Sequence, residues 1–113
     1  MTCWTKQILA TAVVSLSTFA LPALAQDTAT LARRGEALLS RHCAMCHALG
    51  QAGGSPNPRA LPFPIISRQY PVESLREALA KGLLTGHPDM PRFTFEPREI
   101  EEILAYLGAI RER

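Results

Sequence analysis

Two cysteines and a histidine at one point in the chain have the spacing that attaches haem covalently. Cys43 and Cys46 lie three residues apart and His47 follows directly, which completes a C-x-x-C-H motif. Residues three apart on a helical turn share one side of the backbone, so both thiols can form thioethers with the vinyl groups of one porphyrin. The imidazole of His47 then projects toward the centre of the ring, where it can bind iron. The motif therefore predicts one haem c held by three bonds.

Two other uses of a cysteine pair agree less well with this sequence. A closed zinc site needs four nitrogen or sulfur ligands, and outside the motif only His42 and His87 remain as candidates. A thioredoxin-type redox pair would need neighbouring β-strands, and no alternating or β-branched run borders Cys43. Haem attachment is the interpretation that also accounts for the histidine of the motif.

The first 25 residues have the layout of a secretory signal peptide. Lys6 precedes an apolar stretch over residues 8–24, and the stretch ends in small residues at Ala25. We expect cleavage after Ala25, export to the periplasm and one mature domain of residues 26–113. An uncleaved membrane anchor is the alternative, but the stretch is short for a span and contains several serine and threonine side chains. After cleavage we expect no stable membrane insertion.

Size and charge restrict the remaining classes of function. The chain has 113 residues, with 12 Lys and Arg against 10 Asp and Glu. It has room for one small domain after the signal, and its balanced charge does not suit nucleic-acid binding. A domain of this size buries little apolar surface by itself, so a bulky macrocycle would form much of the core. We therefore expect the domain to be poorly folded without its cofactor.

A helix and a long loop surround the motif. Residues 27–30 offer capping side chains, and apolar residues at helical spacing follow as far as His42, so a first helix leads directly into Cys43. Glycine and proline are dense between residues 48 and 64, which indicates a wrapping loop instead of a regular element. Loops of this length in small domains usually enclose something, and here the enclosed group would be the cofactor.

Two further helices are expected after the loop. One begins at Pro71 and ends near Gly82, because proline suits a first helical turn and glycine suits a helix end. The last begins at Pro97 and carries an apolar stripe, while Glu101 and Glu102 are expected to face solvent. These patterns predict an all-α domain. The stripe consists of Ile100, Ile103, Leu104, Leu107 and Ile110.

The sixth coordination position of the iron decides between electron transfer and ligand chemistry. Met90 lies between Pro88 and Pro91, whose fixed φ angles would hold its thioether in one place. We expect Met90 to be the distal ligand, with His87 or an open, water-bound position as the alternatives. A thioether favours Fe(II), so ligation of the iron by His47 and Met90 predicts a carrier of high potential.

With these residues the chain resembles a class I mono-haem cytochrome c over the whole of residues 26–113. The resemblance implies the cytochrome c fold, in which about three to four helices wrap around one covalently bound haem. In that family the first helix crosses the last through a small residue eight positions before the first haem cysteine, and Gly35 holds that position here. An aromatic side chain of the last helix, here Tyr106, is expected to pack over it.

The resemblance also implies roles for the wrapping loop. In the family a proline carbonyl in this loop accepts a hydrogen bond from the proximal imidazole and fixes its tautomer. Pro58 is the expected equivalent, with Pro56 and Pro62 as alternatives. Since the only tryptophan lies in the expected signal peptide, other side chains are candidates to hold a haem propionate. They are Tyr70, Arg59 and Arg68.

The expected function is therefore that of a periplasmic one-electron carrier, not an enzyme. Its partners would be redox proteins, namely a dehydrogenase, an oxidase or another cytochrome, which it meets as a monomer or in weak complexes. Two alternatives stay open. A dedicated electron-transfer subunit of a periplasmic dehydrogenase would co-purify with a large partner, and a five-coordinate haem protein would bind a gas, which a ligating Met90 opposes.

Overall fold

The computed structural model describes residues 22–82 and 89–113, and within these ranges the chain forms four α-helices and no strand. The helices are α1 Pro22–His42, α2 Phe63–Gln69, α3 Val72–Lys81 and α4 Pro97–Arg111. The most extensive packing is between α1 and α4, and both α2 and α3 also pack on α4. The predicted all-α fold is confirmed, with a helix number inside the expected range.

The first helix begins further upstream than its capping residues suggested. α1 starts at Pro22, ahead of residues 27–30, and runs across the expected cleavage site after Ala25. Proline is favoured in a first helical turn, and the alanine and leucine residues that follow are strong helix formers. The helix ends at His42, directly before the motif, as the sequence predicted. The rest of the expected signal peptide, residues 1–21, lies outside the described residues.

The loop expected over residues 48–64 ends two residues early, because helix α2 begins at Phe63. Its proline, Pro64, lies in the first turn, where the missing backbone N–H breaks no helical hydrogen bond. Phe63 and Pro64 are buried, and the hydroxyl of the fully buried Ser67 donates to the carbonyl of Pro64 at 3.1 Å. A high proline content therefore hid a short helix that returns the chain to the core.

The other two helices follow their expected boundaries. α3 begins after Pro71 and ends at Gly82, whose φ of 77° lies in the left-handed region that favours glycine. α4 begins after Glu96 with a capping box, in which the Glu96 backbone N–H donates to the Glu99 carboxylate at 2.9 Å. Local capping signals were thus sufficient to place both helices.

Helices α1 and α4 cross in backbone contact at Gly35. A Cβ atom added at Gly35 would overlap the α4 backbone at Glu102 and would lie 2.9 Å from the nitrogen of Ile103. The nearest atoms are thus backbone atoms rather than the ring of Tyr106, which the resemblance placed here. The Tyr106 hydroxyl instead donates to the carbonyl of Leu49 at 3.0 Å and ties the start of the wrapping loop to α4.

The expectation that Glu102 faces solvent is wrong, because this residue is only 7% exposed. The close approach at Gly35 covers the neighbouring α4 surface, and Glu102 lies directly beside it. Its carboxylate lies 3.4 Å from the guanidinium of Arg34 and 3.5 Å from that of Arg98. Burying a carboxylate is tolerated only with such partners, since an unpaired buried charge is strongly destabilising.

The predicted apolar stripe of α4 forms the centre of the core. All five of its residues are buried, and Ile103 has no exposed surface. Buried residues of the other elements pack against it, including Leu39 of α1 and Leu79 of α3. Among the described residues, no helix has the length and apolar character that crossing a membrane requires.

An exposed ion-pair cluster joins α3 to α4. The Arg76 guanidinium donates to both carboxylate oxygens of Glu101, and its Nε donates to Glu73 at 2.8 Å. The hydrogen bond from Arg76 holds the pKa of Glu101 below its ordinary value of 4.5. The stabilising contribution is therefore present above pH 4.5 and is lost as the pH falls through the lower pKa of the folded state.

We expect Arg76→Gln to lower the urea midpoint of the haem-bound protein by no more than about 0.5 M at low ionic strength, because exposed ion pairs contribute little. The difference should disappear near 1 M salt or at acid pH, where screening and protonation remove the attraction. Urea titrations at two salt concentrations and two pH values measure both effects. Lys81→Gln is the control, because Lys81 pairs with Glu77 inside α3. A decrease in the urea midpoint that neither high salt nor acid pH removes would contradict this account.

Candidate haem site

The end of α1 and the turn that follows it present the three residues of the motif. The backbone N–H groups of Cys46 and His47 donate to the carbonyl of Cys43 at 3.1 and 2.9 Å. The helical path therefore continues through the motif and brings both sulfurs and the imidazole onto one turn, as their spacing predicted. Both cysteines are free thiols, which leaves each available for a thioether.

A cavity of about 310 Å³ opens beside this turn, and Cys43, Cys46 and His47 all line it. Met90 and Pro91 line the same cavity, although they lie far downstream in the chain. Folding therefore brings the attachment motif and the expected distal ligand to one place. The alternative ligand His87 lies outside the described residues.

A loop carbonyl accepts a hydrogen bond at the proximal imidazole, but it is not the carbonyl of Pro58. Nδ1 of His47 lies 2.6 Å from the carbonyl oxygen of Leu61, so the prediction for Pro58 is wrong, and the alternatives Pro56 and Pro62 are also incorrect. This bond makes Nδ1 the protonated nitrogen and leaves Nε2 as the nitrogen available to a metal.

The path of the wrapping loop explains why Leu61 is the acceptor. The backbone N–H of Asn57 donates to the carbonyl of Cys46 at 3.2 Å, and that of Phe63 donates to Ala48 at 2.9 Å. The loop is thus pinned to the motif on both sides of Leu61, which brings this residue past the imidazole. A residue that precedes proline favours extended backbone, so its carbonyl is not taken up by a helical hydrogen bond.

The chemistry of the thiols fits a macrocycle better than a bare metal ion. Burial, with the neighbouring Cys46 as the smaller cause, raises the pKa of Cys43 to about 11. A zinc ligand would have to be a thiolate. In the described part of the chain, no group of three or more His, Cys, Asp or Glu residues could hold a metal ion. Two cysteines beside an imidazole suit a porphyrin that forms thioethers and brings its own iron.

An ion pair at the cavity was not anticipated from the sequence. Nη2 of Arg59 donates to the carboxylate of Asp89 at 2.5 Å, and both residues line the cavity. The pair joins the wrapping loop to the residue before Met90. Arg59 was expected to hold a propionate, and the structure gives it a protein carboxylate as its partner. Of the other two propionate candidates, neither Tyr70 nor Arg68 lines this cavity.

Met45, inside the motif, and His42, directly before it, have different surroundings. Met45 is 87% exposed. His42 is half-buried, lines the cavity and contacts the rings of Phe93 and Phe95. No local pattern in the sequence connects His42 to aromatic residues so far downstream.

Comparison with known proteins gives one match. The family model described as "Cytochrome C oxidase, cbb3-type, subunit III" matches residues 30–107, which is most of the chain. No curated protein and no solved structure matches significantly. The matched range contains the helix crossing at Gly35, the C-x-x-C-H motif, the wrapping loop and Met90.

Proposed function

Since the chain belongs to the family of cbb3-type cytochrome c oxidase subunit III, whose domain is that of a c-type cytochrome, we propose that it is a mono-haem electron carrier of the periplasm. Membership confirms the resemblance to class I cytochromes c and implies haem c and iron, and the fold is the all-α fold of that class. One observation carries the proposal: both thiols, the imidazole and Met90 line the same cavity.

Different residues of the cavity would bind different parts of the cofactor. Cys43 and Cys46 would hold one haem through thioethers, and His47 would bind the iron through Nε2. We assign Met90 to the opposite position, because it lines the same cavity and is followed by Pro91, whose fixed φ angle restricts the backbone. When bound, the haem supplies the Fe(II)/Fe(III) couple, and the function requires no other chemistry.

The protein around the cavity keeps the ligands in place. The carbonyl of Leu61 fixes the orientation of His47, and the ring of Phe63 lies 5.3 Å from the imidazole, measured between centroids. A His47 ligand held in this way rearranges little when the charge changes, and permanent ligation by two side chains leaves no site for a substrate.

Export completes the proposal. Cytochrome c domains are usually exported, and the apolar stretch over residues 8–24 supports cleavage after Ala25. Cleavage there would remove the first turn of α1 and leave the capping side chains of residues 27–30 at the new start of the helix. The carrier would then meet a donor and an acceptor protein in brief, weak complexes.

The test is an absorption spectrum of protein matured in a periplasm that attaches haem, oxidised and reduced, with and without carbon monoxide. The proposal requires a low-spin spectrum, a thioether-to-ferric charge-transfer band and no response to carbon monoxide. The mass should equal residues 26–113 plus one haem. Ready binding of carbon monoxide would instead show an open iron and would favour a gas-binding protein.

The family description names an oxidase subunit, which favours one second candidate. In this function the chain passes electrons as a dedicated subunit of a larger redox enzyme, an oxidase or a dehydrogenase, and the site is the same. The two candidates differ in the lifetime of the complex. A tagged chain that co-purifies in fixed ratio with a large partner would identify the subunit, whereas a monomer would identify the shuttle.

A further inference from the structure

Three aromatic rings form a cluster that the proposed electron transfer does not use. The ring of His42 contacts Phe93 at a centroid distance of 5.6 Å and Phe95 at 5.7 Å, both in edge-to-face geometry. Phe93 and Phe95 also contact each other, with centroids 6.1 Å apart. Aromatic pairs at these separations attract one another beyond the burial of their surface.

The cluster joins two parts of the site. His42 is the last residue of α1 and directly precedes Cys43, whereas Phe93 closely follows Met90. His42, Phe93 and Met90 all line the cavity. The ring of His42 therefore connects the end of α1, which is followed directly by the attachment turn, to the segment that carries Met90.

Contacts with other parts of the chain hold the Met90 segment in place. Residues 91–96 belong to no helix or strand, so side-chain contacts determine where they lie. Upstream, the pair between Arg59 and Asp89 is exposed, with 73% and 63% of the two side chains accessible to solvent. Exposed pairs of this kind hold a loop weakly. Downstream, Phe95 is buried, so the cluster attaches the segment to the core.

We propose that His42 is a positioning residue, whose ring holds the Phe93–Phe95 segment against the end of α1 and so keeps Met90 over the cavity. The inference rests on the proposed function, in which Met90 is the distal ligand. In this proposal His42 itself does not bind the iron. Without its ring the segment leaves the end of α1 more often, and Met90 leaves its position with it.

The experiment compares the haem-bound wild type with His42→Ala, His42→Phe and Ile110→Ala. His42→Phe keeps a ring, and Ile110→Ala removes buried packing from the far end of α4, away from this cavity. An aromatic contact corresponds to a change of about twofold to tenfold in an opening equilibrium. We expect His42→Ala to weaken the thioether-to-ferric band and to speed carbon monoxide binding by that factor. His42→Phe and Ile110→Ala should stay within about twofold of the wild type.

Four outcomes separate this inference from the proposed function. The expected effects of His42→Ala and of its two controls, if observed, support the positioning role of His42. Two outcomes would overturn the role of His42 and leave the electron carrier intact, provided that the wild type shows the band. In the first, His42→Ala leaves both readouts unchanged. In the second, Ile110→Ala changes them as much as His42→Ala does. A wild type without the band that binds carbon monoxide readily overturns the proposed function and this inference together. If His42→Ala does not retain haem, His42→Gln, which lacks a ring but keeps a polar side chain, decides by the same readouts.

Discussion

Replacing Met90 with alanine is expected to leave haem attached but to open its distal face. In the proposed function, attachment depends on Cys43 and Cys46, which the substitution does not touch, whereas the proposed thioether ligand that favours Fe(II) is lost. The charge-transfer band should disappear, carbon monoxide should bind readily, and the midpoint potential should fall by on the order of 0.1–0.2 V, a part of the roughly 0.8 V range that axial ligands span. Absorption spectra and a redox titration measure these changes.

Met45→Ala is the control for this substitution. Met45 is the other described methionine and lies inside the motif, but its side chain is 87% exposed. The Met45 variant should therefore keep the band and the potential of the wild type. Unchanged spectra in the Met90 variant would refute its assignment as the distal ligand, and His87 would become the candidate to test.

Gly35→Ala is expected to destabilise the haem-bound protein by about 3 kcal/mol, because the added methyl group would overlap the backbone of α4 at Glu102. A backbone clash cannot be relieved by rotating a side chain, so the two helices must separate. Small domains have total stabilities of roughly 5–15 kcal/mol, so this is a large part of the whole. Urea titration followed by circular dichroism measures the loss.

Gly108→Ala is the matched control on α4. A Cβ atom at Gly108 would meet no other atom within 4 Å, and the residue lies inside the helix. Alanine there should stabilise the protein by about 0.5–1 kcal/mol, because glycine loses more backbone entropy in a helix. Equal effects of the two substitutions would contradict the crossing at Gly35.

The two helices that cross at Gly35 also border the haem site, so a change at the crossing affects the site. α1 ends directly before Cys43, and α4 begins just after Phe95, which belongs to the aromatic cluster at His42. Moving the helices apart at Gly35 would therefore also shift the attachment turn relative to the Met90 segment. We expect Gly35→Ala to weaken the charge-transfer band as well as the stability.

The sequence by itself determined the features that depend on residues close together along the chain. The C-x-x-C-H motif implied one helical turn with two thiols and an imidazole, because covalent spacing sets that geometry. Capping residues around Pro71 and Glu96 placed α3 and α4, since a helix end is a local hydrogen-bonding problem. Through the resemblance, the spacing between Gly35 and Cys43 predicted the helix crossing, and the structure places the crossing at Gly35.

Only the tertiary structure decided which distant groups meet. Leu61, and not Pro58, accepts the hydrogen bond of His47, because the path of the wrapping loop is set by backbone bonds to the motif that no local pattern records. Glu102 is buried because α1 approaches it at Gly35, although its position on α4 alone suggested solvent. The contacts of His42 likewise exist only after folding. Spacing along the chain specifies which groups are available, whereas packing between elements specifies their partners.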